Sequence, residues 1–201
     1  SSFLLEARCF GWRRGTAVCY PVLLLLFSQA LDAFPIAIKL GNLMDKKIII
    51  DFGCKMDKIT GAVGVDIDPA THADVIHDLN KFPYPFPDNH ADKIYAKHII
   101  EHLDHPRGFI GEVFRILKPG GTALIETPHF SNHCAYSEPE HKLFYSYFMF
   151  HELTNRLRDQ IKITRWELTF YKTFRASGIQ WLANKNPENY ERFWTYMFPA
   201  E

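Results

Sequence analysis

The sequence predicts an α/β fold with an open, mostly parallel sheet. Short apolar runs that are typical of strands buried on both faces occur at 48–52, 62–67, 74–77, 91–96 and 122–127. Helical or crossover segments separate these runs, and strands that alternate with such connections favour parallel pairing.

One amphipathic helix is the clearest element of the pattern. Pro106 marks its first turn, where a missing backbone N–H costs nothing. The apolar positions that follow have the 3.6-residue period of a helix with one buried face: Phe109, Ile110, Val113, Ile116 and Leu117. The sequence Lys-Pro-Gly-Gly at 118–121 ends it.

The remaining segments are predicted from composition and spacing. Three prolines at 83–87 exclude regular structure and predict a loop. Residues 148–158 and 187–197 have helical spacing, and the alternation over 166–174 indicates a further strand.

Composition narrows the classes of partner. The chain of 201 residues has 23 Lys plus Arg and 23 Asp plus Glu, so its formal net charge is zero. A nucleic-acid binder usually shows a basic stripe, so a small or neutral partner is expected. The four cysteines lack CxxC spacing, which favours a reducing, cytoplasmic location and predicts no metal knuckle.

The N-terminal residues 1–40 are predicted to be an extension of uncertain role, followed by one domain over 41–201. Arg13 and Arg14 precede an apolar stretch at 16–27, which has the order of a targeting signal. Pro21 interrupts this stretch, and an amphipathic leading helix or a foreign extension is an alternative interpretation. Its unbroken part is too short to span a membrane.

Polar residues follow each predicted strand. They are Asp51 and Gly53, Asp66 and Asp68, Asp78, His98, and Pro128 with His129. Ligands of open α/β sheets bind at the carboxyl ends of the strands, so this edge is the predicted binding site.

These motifs, in their order and spacing, resemble the small class I S-adenosylmethionine-dependent methyltransferases. The motifs are Asp51-Phe-Gly-Cys, Gly64-Val-Asp-Ile-Asp68, His77-Asp-Leu79, Pro85-Phe-Pro-Asp88, Ile100-Glu-His-Leu103, Glu112 to Gly121 and Thr127-Pro-His-Phe130. The resemblance covers about residues 46–198 and implies a Rossmann-like fold with S-adenosylmethionine as cofactor.

The resemblance also implies roles for individual residues. The loop of Asp51, Gly53 and Cys54 would hold the methionine part of the cofactor. Asp66, followed by Ile67, would accept hydrogen bonds from the ribose hydroxyls, since a carboxylate offers paired acceptor sites. The rest of the implied cofactor set is Asp78 and Leu79 for the adenine and His98 at the pocket floor. For Asp66 and Asp78, a solvated turn acid or helix cap is the alternative.

The chain departs from the family pattern in two places. Lys55 stands where the family usually has a glycine, which could weaken or abolish cofactor binding. The chain also stops at Glu201, where relatives continue into a final strand. The last antiparallel strand is therefore expected to be missing, and the exposed edge near Trp166 could support a homo-oligomer.

Residues 129–160 are interpreted as an insertion on the side of the methyl acceptor. A hydroxyl acceptor needs a base with a pKa near neutrality, and histidine fits best. His129 and then His141 are the predicted catalytic residues, with surface or structural histidines as the alternative. The predicted acceptor is a small molecule that receives the methyl group on oxygen or nitrogen.

Two other functions are weighed against methyl transfer. His98-Ile-Ile-Glu101-His102 fits the H-x-x-E-H pattern of a metallohydrolase, in which both histidines bind a metal from one helix and the glutamate acts as base. Lys55 favours a second alternative, a methyltransferase-like domain without catalytic activity. A nicotinamide-binding domain is disfavoured because no GxGxxG follows the first strand.

Overall fold

The computed structural model describes residues 2–7, 47–155, 157, 161–170, 172–175 and 177–200. The described residues from 48 onward belong to one compact unit together with residues 2–7. The apolar stretch at 16–27, with its possible targeting role, lies outside the described residues.

Seven strands form one sheet in the described part of the chain. They are β1 (Ser2–Ala7), β2 (Ile49–Phe52), β3 (Val63–Asp66), β4 (Val75–Ile76), β5 (Ala91–Lys97), β6 (Leu117–Glu126) and β7 (Ile161–Glu167). Their order is β4-β3-β2-β5-β6-β1-β7. β4, β3, β2, β5 and β6 pair in parallel, which confirms the predicted open, mostly parallel α/β sheet.

The antiparallel strand that was expected to be missing has a substitute from the other end of the chain. β1 lies between β6 and β7 and pairs antiparallel with both, for example Leu5 with Ala123 and with Ile163. The N-terminal extension therefore contributes its first residues to the sheet. Pairing on both sides satisfies the backbone groups of β1 and of one edge of β7, so the edge strand is protected on that side.

The helices lie mostly where the apolar spacing predicts them. They are α1 (Pro106–Ile116), α2 (Cys134–Ser137), α3 (Tyr147–Asn155), α4 (Lys172–Arg175), α5 (Ile179–Lys185) and α6 (Pro187–Asn189), with a 3₁₀ turn at Ile100–His102 and a π-helical turn at Tyr190–Trp194. The predicted helix over 187–197 is therefore a short α-helix that continues as a π turn.

The strand predicted over 166–174 is wrong beyond Glu167. Leu168 and Phe170 are fully buried in a second apolar cluster together with Tyr190. Side-chain amides replace a strand partner here: Leu168 N donates to Asn184 Oδ1 at 2.6 Å, and Phe170 N donates to Gln180 Oε1 at 3.2 Å. Alternating burial therefore came from packing against α5 rather than from a sheet.

The proline-rich loop at 82–89 is held by one arginine of α1. Arg115 donates to the carbonyls of Tyr84 and Phe86 at 3.1 and 2.8 Å and to the carboxylates of Glu112 and Asp88. Because prolines leave this loop few donors of its own, the guanidinium fork supplies the hydrogen bonds that fix it beside β5.

The main core lies between this sheet and α1. Phe109, Ile110, Val113 and Ile116 of α1 are fully buried, as predicted, and pack in the same cluster as the sheet residue Phe52. Among the described residues, no helix is long and apolar enough to cross a membrane.

The position of β1 predicts a measurable contribution to stability. Leu5 is 1% exposed, so Leu5→Ala should lower the free energy of unfolding by about 2–5 kcal/mol through lost burial and a cavity. Urea denaturation measures the change. Ile76→Ala, at a position 51% exposed on the short edge strand β4, is the control and should change it far less. Equal effects of the two substitutions would contradict the placement of β1.

Candidate functional site

The turn after β2 begins at Gly53, a position whose backbone conformation and close packing require glycine. Gly53 has φ +70°, and a Cβ there would meet Ile99 side-chain atoms at 3.0 Å. Its N–H donates to the carbonyl of Val65 at 2.8 Å. The backbone of this turn is therefore bound to the end of β3, as the predicted cofactor loop requires.

Lys55 adopts the left-handed conformation of the glycine that it replaces. Its φ is +45°, a region that costs a residue with a Cβ about 1–2 kcal/mol. Its N–H donates to Asp66 Oδ2 at 2.9 Å. The lysine thus preserves the path of the loop. It differs from the glycine of the family pattern in its charged side chain and in the strain of its backbone.

Asp66 accepts hydrogen bonds from the loops that follow both β2 and β3. The residue is 8% exposed, and its second oxygen, Oδ1, accepts from Asp68 N at 3.1 Å. A carboxylate has about four acceptor positions, so two backbone hydrogen bonds orient the group and leave capacity for further donors. Ile67, next to it, is 63% exposed, although most of its apolar neighbours in the sheet are buried.

Asp51 and Cys54 are buried in the same region. Asp51 accepts a hydrogen bond from Ile59 N at 2.9 Å, and so it holds the crossover between β2 and β3. Burial raises the pKa of the Asp51 carboxyl, against the opposing influence of the Ile59 N–H and Lys97. Burial, with the nearby Asp66 and Asp51 carboxylates, also raises the pKa of the Cys54 thiol, so this cysteine is a packing residue rather than a nucleophile.

Asp78 and Leu79 follow β4 at the same edge. Asp78 Oδ1 accepts from Asn80 N at 3.0 Å, which is the turn role that was weighed as its alternative. Leu79 is 6% exposed, and its carbonyl accepts from the Tyr84 hydroxyl at 2.7 Å. Their assignment to the adenine remains a prediction.

His98 follows β5 with φ +49° and an exposed side chain. Its N–H donates to the carbonyl of Glu126 at 2.9 Å, so backbone pairing with the end of β6 fixes its place. The ring can therefore reach solvent at the carboxyl edge, where the prediction puts the pocket floor.

His129 is fully buried, and both its ring nitrogens are engaged. Nδ1 lies 2.7 Å from Ser131 Oγ and accepts from Ser131 N at 3.3 Å, while Nε2 lies 3.2 Å from Glu191 Oε1. Burial lowers the pKa of His129, and Glu191 opposes that shift. In this conformation His129 links the end of β6 to the C-terminal helices, as a structural histidine would. Its catalytic role stays a prediction.

His141 is the predicted catalytic histidine that stays reachable. It is half-buried, and Nδ1 lies 3.0 Å from the carbonyl of Ala135. A carbonyl only accepts, so Nδ1 carries a proton, and in the neutral ring Nε2 then keeps its lone pair. That nitrogen is free to accept a proton or to bind a cation.

The H-x-x-E-H segment does not form the continuous helix that a metallohydrolase motif requires. Only Ile100–His102 is helical, as a single 3₁₀ turn, and His98 precedes it with a left-handed φ. The chain instead places His102 against His141, with ring centroids 4.7 Å apart. Sequence reasoning missed this pairing because the two histidines are 39 positions apart, with α1 and β6 between them.

An apolar cavity of about 390 Å³ lies elsewhere, among the C-terminal helices. Its lining includes Ile179, Leu182, Tyr190, Trp194 and Phe198. None of the predicted cofactor residues lines it, so it does not bear on the cofactor.

A comparison with known families identifies the chain. The sequence model of the family described as "Methyltransferase domain" matches residues 36–186, about three quarters of the chain. The chain belongs to this methyltransferase family. The resemblance in the sequence is thereby confirmed, and S-adenosylmethionine is the cofactor of the family.

Two curated relatives match shorter segments. A probable S-adenosylmethionine-dependent methyltransferase of Mycolicibacterium smegmatis is 37% identical over an alignment of 75 residues, with 33% of this chain and 29% of the relative covered. The sterol 24-C-methyltransferase erg-4 of Neurospora crassa is 34% identical over an alignment of 110 residues, with 43% of this chain and 29% of the relative covered. The match thus spans less than a third of the length of each curated relative.

Solved structures of similar proteins include two bacterial or archaeal examples. A methyltransferase from Archaeoglobus fulgidus has a TM-score of 0.48 at 18% identity, with 80% of this chain and 88% of that chain covered. The YcgJ protein of Bacillus subtilis has a TM-score of 0.48 at 19% identity, with 74% and 77% covered.

The residues at the sheet edge fit the family's cofactor. A left-handed glycine turn lies beside an oriented carboxylate, and Asp66 keeps acceptor positions for neighbouring hydroxyl donors. The exposed Ile67 offers an apolar surface next to that carboxylate. Lys55 keeps its backbone in place, so its charge is the one feature at this turn that opposes a sulfonium.

The buried state of His129 predicts a pH dependence of stability. Its folded pKa lies below its unfolded value of about 6.5, so the unfolded chain takes up the proton first. Its contribution is complete above pH 6.5 and is lost as the pH falls below that value. His129→Gln should be less stable at pH 7.5 and should lack this part of the loss.

Urea denaturation between pH 7.5 and 5.0 measures both effects. His105→Gln replaces an exposed histidine at the start of α1 and should follow the parent curve. If the curves of His129→Gln and the parent run parallel, His129 does not stay neutral in the folded state.

The left-handed backbone of Lys55 predicts the effect of substituting it. Lys55→Gly should raise the free energy of unfolding by roughly 0.5–1 kcal/mol, because relief of about 1–2 kcal/mol of strain exceeds the entropic cost of a glycine. Lys55→Ala keeps the Cβ and should give no such gain. Chemical denaturation of both variants tests this, and equal stability of the two would contradict a strained turn.

Proposed function

We propose that this chain binds S-adenosylmethionine at the carboxyl ends of β2, β3 and β4 and transfers its methyl group to a small-molecule acceptor. The observation that carries the proposal is the carboxylate of Asp66, oriented by two backbone N–H groups from the loops after β2 and β3. Membership of the methyltransferase family supports the same reaction.

Each residue at this edge has a proposed part in binding. The backbone at Gly53 and Cys54 faces the methionine part of the cofactor, and Asp51 holds the crossover that closes the loop. Asp66 accepts from the ribose hydroxyls, beside Ile67. Asp78, Leu79 and His98 complete the set on the adjacent strand ends.

The cofactor supplies an activated methyl group on a sulfonium. Because displacement at that carbon needs an in-line approach, the protein contributes mainly alignment and exclusion of water. The segment after β6 is the proposed acceptor side, and a hydrogen bond of 2.9 Å from Phe130 N to the Tyr145 carbonyl joins its two ends. His141 is the proposed histidine on the acceptor side, because it is half-buried and its Nδ1 contact with the Ala135 carbonyl fixes the ring.

The net charge of the chain supports a proposal for the chemical class of the acceptor. The chain has no net charge, and an acceptor with many phosphates would need a basic surface. We infer a small neutral or weakly charged acceptor that is methylated on oxygen or nitrogen. The cytoplasmic location stays a prediction, and so does a homo-oligomer formed through the edge strand near Trp166.

Calorimetric titration with S-adenosylmethionine and with its demethylated product tests the binding step. Asp66→Ala should weaken binding about 10- to 100-fold, because hydrogen bonds to a charged group contribute about 1.5–3 kcal/mol. Asp88→Asn changes an exposed carboxylate just before β5, at the amino ends of the parallel strands and away from the proposed site. It should leave the affinity within about twofold. If the parent binds neither ligand at millimolar concentration, the proposal fails.

Lys55 separates an enzyme from a domain that keeps only the fold. Lys55→Gly removes both the charge and the strain, whereas Lys55→Ala removes the charge alone. If Lys55→Gly binds the cofactor and the parent does not, the parent is the methyltransferase-like domain without activity that was weighed above. If the parent binds, Lys55→Gly should bind more tightly.

A further inference from the structure

The geometry points to a site for a divalent transition-metal ion formed by Glu101, His102 and His141. One ligand atom of each residue lies within 4.8 Å of the ligand atoms of the other two. The cofactor residues Asp51 to Leu79 take no part in it. The proposal concerns a bound ion and does not depend on cofactor binding, but an ion on His141 Nε2 would replace the role as base that the sequence predicts for this residue.

Glu101 provides the strongest indication. The residue is 1% exposed, and its Oε2 accepts from the Thr127 hydroxyl at 3.0 Å. Among the residues that the structure describes, none donates a hydrogen bond to its Oε1. A buried carboxylate oxygen without a donor is costly, and a cation is the partner that satisfies it.

His141 already has the arrangement of a metal ligand. Its Nδ1 donates to the Ala135 carbonyl at 3.0 Å, which leaves the Nε2 lone pair available. Metal-binding histidines usually donate their other ring N–H to a backbone carbonyl or a carboxylate, which fixes the tautomer and the ring. This outer hydrogen bond is therefore present without any ion.

The two segments that carry the ligands are bound to each other through the backbone. The carbonyl of Glu101 accepts from Lys142 N at 2.8 Å and from Leu143 N at 3.3 Å. The Tyr145 hydroxyl also donates to the carbonyl of Ile100 at 3.1 Å. The 3₁₀ turn after β5 and the segment after β6 therefore hold the three ligands together, with His102 against His141.

The ligand set indicates the kind of ion. Two imidazoles and one carboxylate suit Zn²⁺ and other first-row transition metals better than Mg²⁺, which prefers oxygen ligands. Ligands of a tetrahedral zinc site are roughly 3.4 Å apart, so closure requires side-chain shifts of about an ångström. Three protein ligands leave a position for an oxygen of water or of a bound molecule.

His98 is the competing partner of Glu101. Its Nδ1 lies 3.5 Å from Oε1, a separation too long for a good hydrogen bond, and its side chain is 61% exposed. If His98 instead pairs with Glu101 as a cation, the thermal stability of the chain should not depend on metal. The experiment below distinguishes this pairing from a metal site.

The full chain, stripped with a chelator, is titrated with Zn²⁺ by calorimetry and with Co²⁺ by visible absorption. One ion per chain is expected, with d–d bands of a cobalt site with nitrogen and oxygen ligands and without thiolate charge transfer. His102→Gln, His141→Gln and Glu101→Gln should each weaken Zn²⁺ binding at least about tenfold.

Two matched variants control for adventitious binding. His105→Gln removes an exposed histidine three residues from His102. Cys134→Ser removes an exposed thiol whose Sγ lies 3.4 Å from His133 Nε2. Both should bind Zn²⁺ as the parent does, and a loss of binding in Cys134→Ser would assign the ion to the cysteine and overturn the proposal.

Thermal unfolding separates a metal ligand from a structural glutamate. Zn²⁺ should raise the Tm of the parent and not that of Glu101→Gln, while the stripped Glu101→Gln should be as stable as the stripped parent or more so. If stripped Glu101→Gln is less stable and Zn²⁺ shifts neither protein, Glu101 is a structural residue paired with His98. If the stripped parent still binds S-adenosylmethionine, cofactor binding does not require the metal ion, and each proposal is tested separately.

Discussion

Parallel pairing of β2 with both β3 and β5 is the constraint on which the rest of the site depends. Asp51 pairs with Gly64 on one side and with Tyr95 on the other. Because parallel strands end at the same edge, this pairing brings together loops that are far apart in sequence. Gly53, Asp66 and His98 share one edge for this reason.

The carboxylates at this edge show how burial divides similar residues between roles. Asp51 and Asp66 are both buried, and Asp51 accepts one backbone N–H group whereas Asp66 accepts two. Asp51 uses its contact to hold the crossover, and Asp66 is oriented with acceptor positions to spare. Glu101 differs from both, since one of its buried oxygens lacks a hydrogen bond from any described residue, which makes it the candidate for a cation.

Much of the fold could be predicted because its elements carry local signals. The face of α1 has a helical period, and the sheet strands are short β-branched runs. The strand over 166–174 was overextended because Leu168 and Phe170 alternate like strand residues while they pack against α5. β1 could not be predicted, because its pairing with β6 joins residues more than 100 positions apart in sequence and leaves no local pattern.

The sequence by itself determined the family, the order of the five parallel strands and of α1 along the chain, and the acids at the strand ends, because these depend on residue types at fixed spacings. Only the tertiary structure decided which histidine stays accessible. His129 follows a strand end just as the pattern requires, yet the C-terminal helices bury it against Glu191. The contact between His102 and His141 likewise exists only because the ends of β5 and β6 are adjacent.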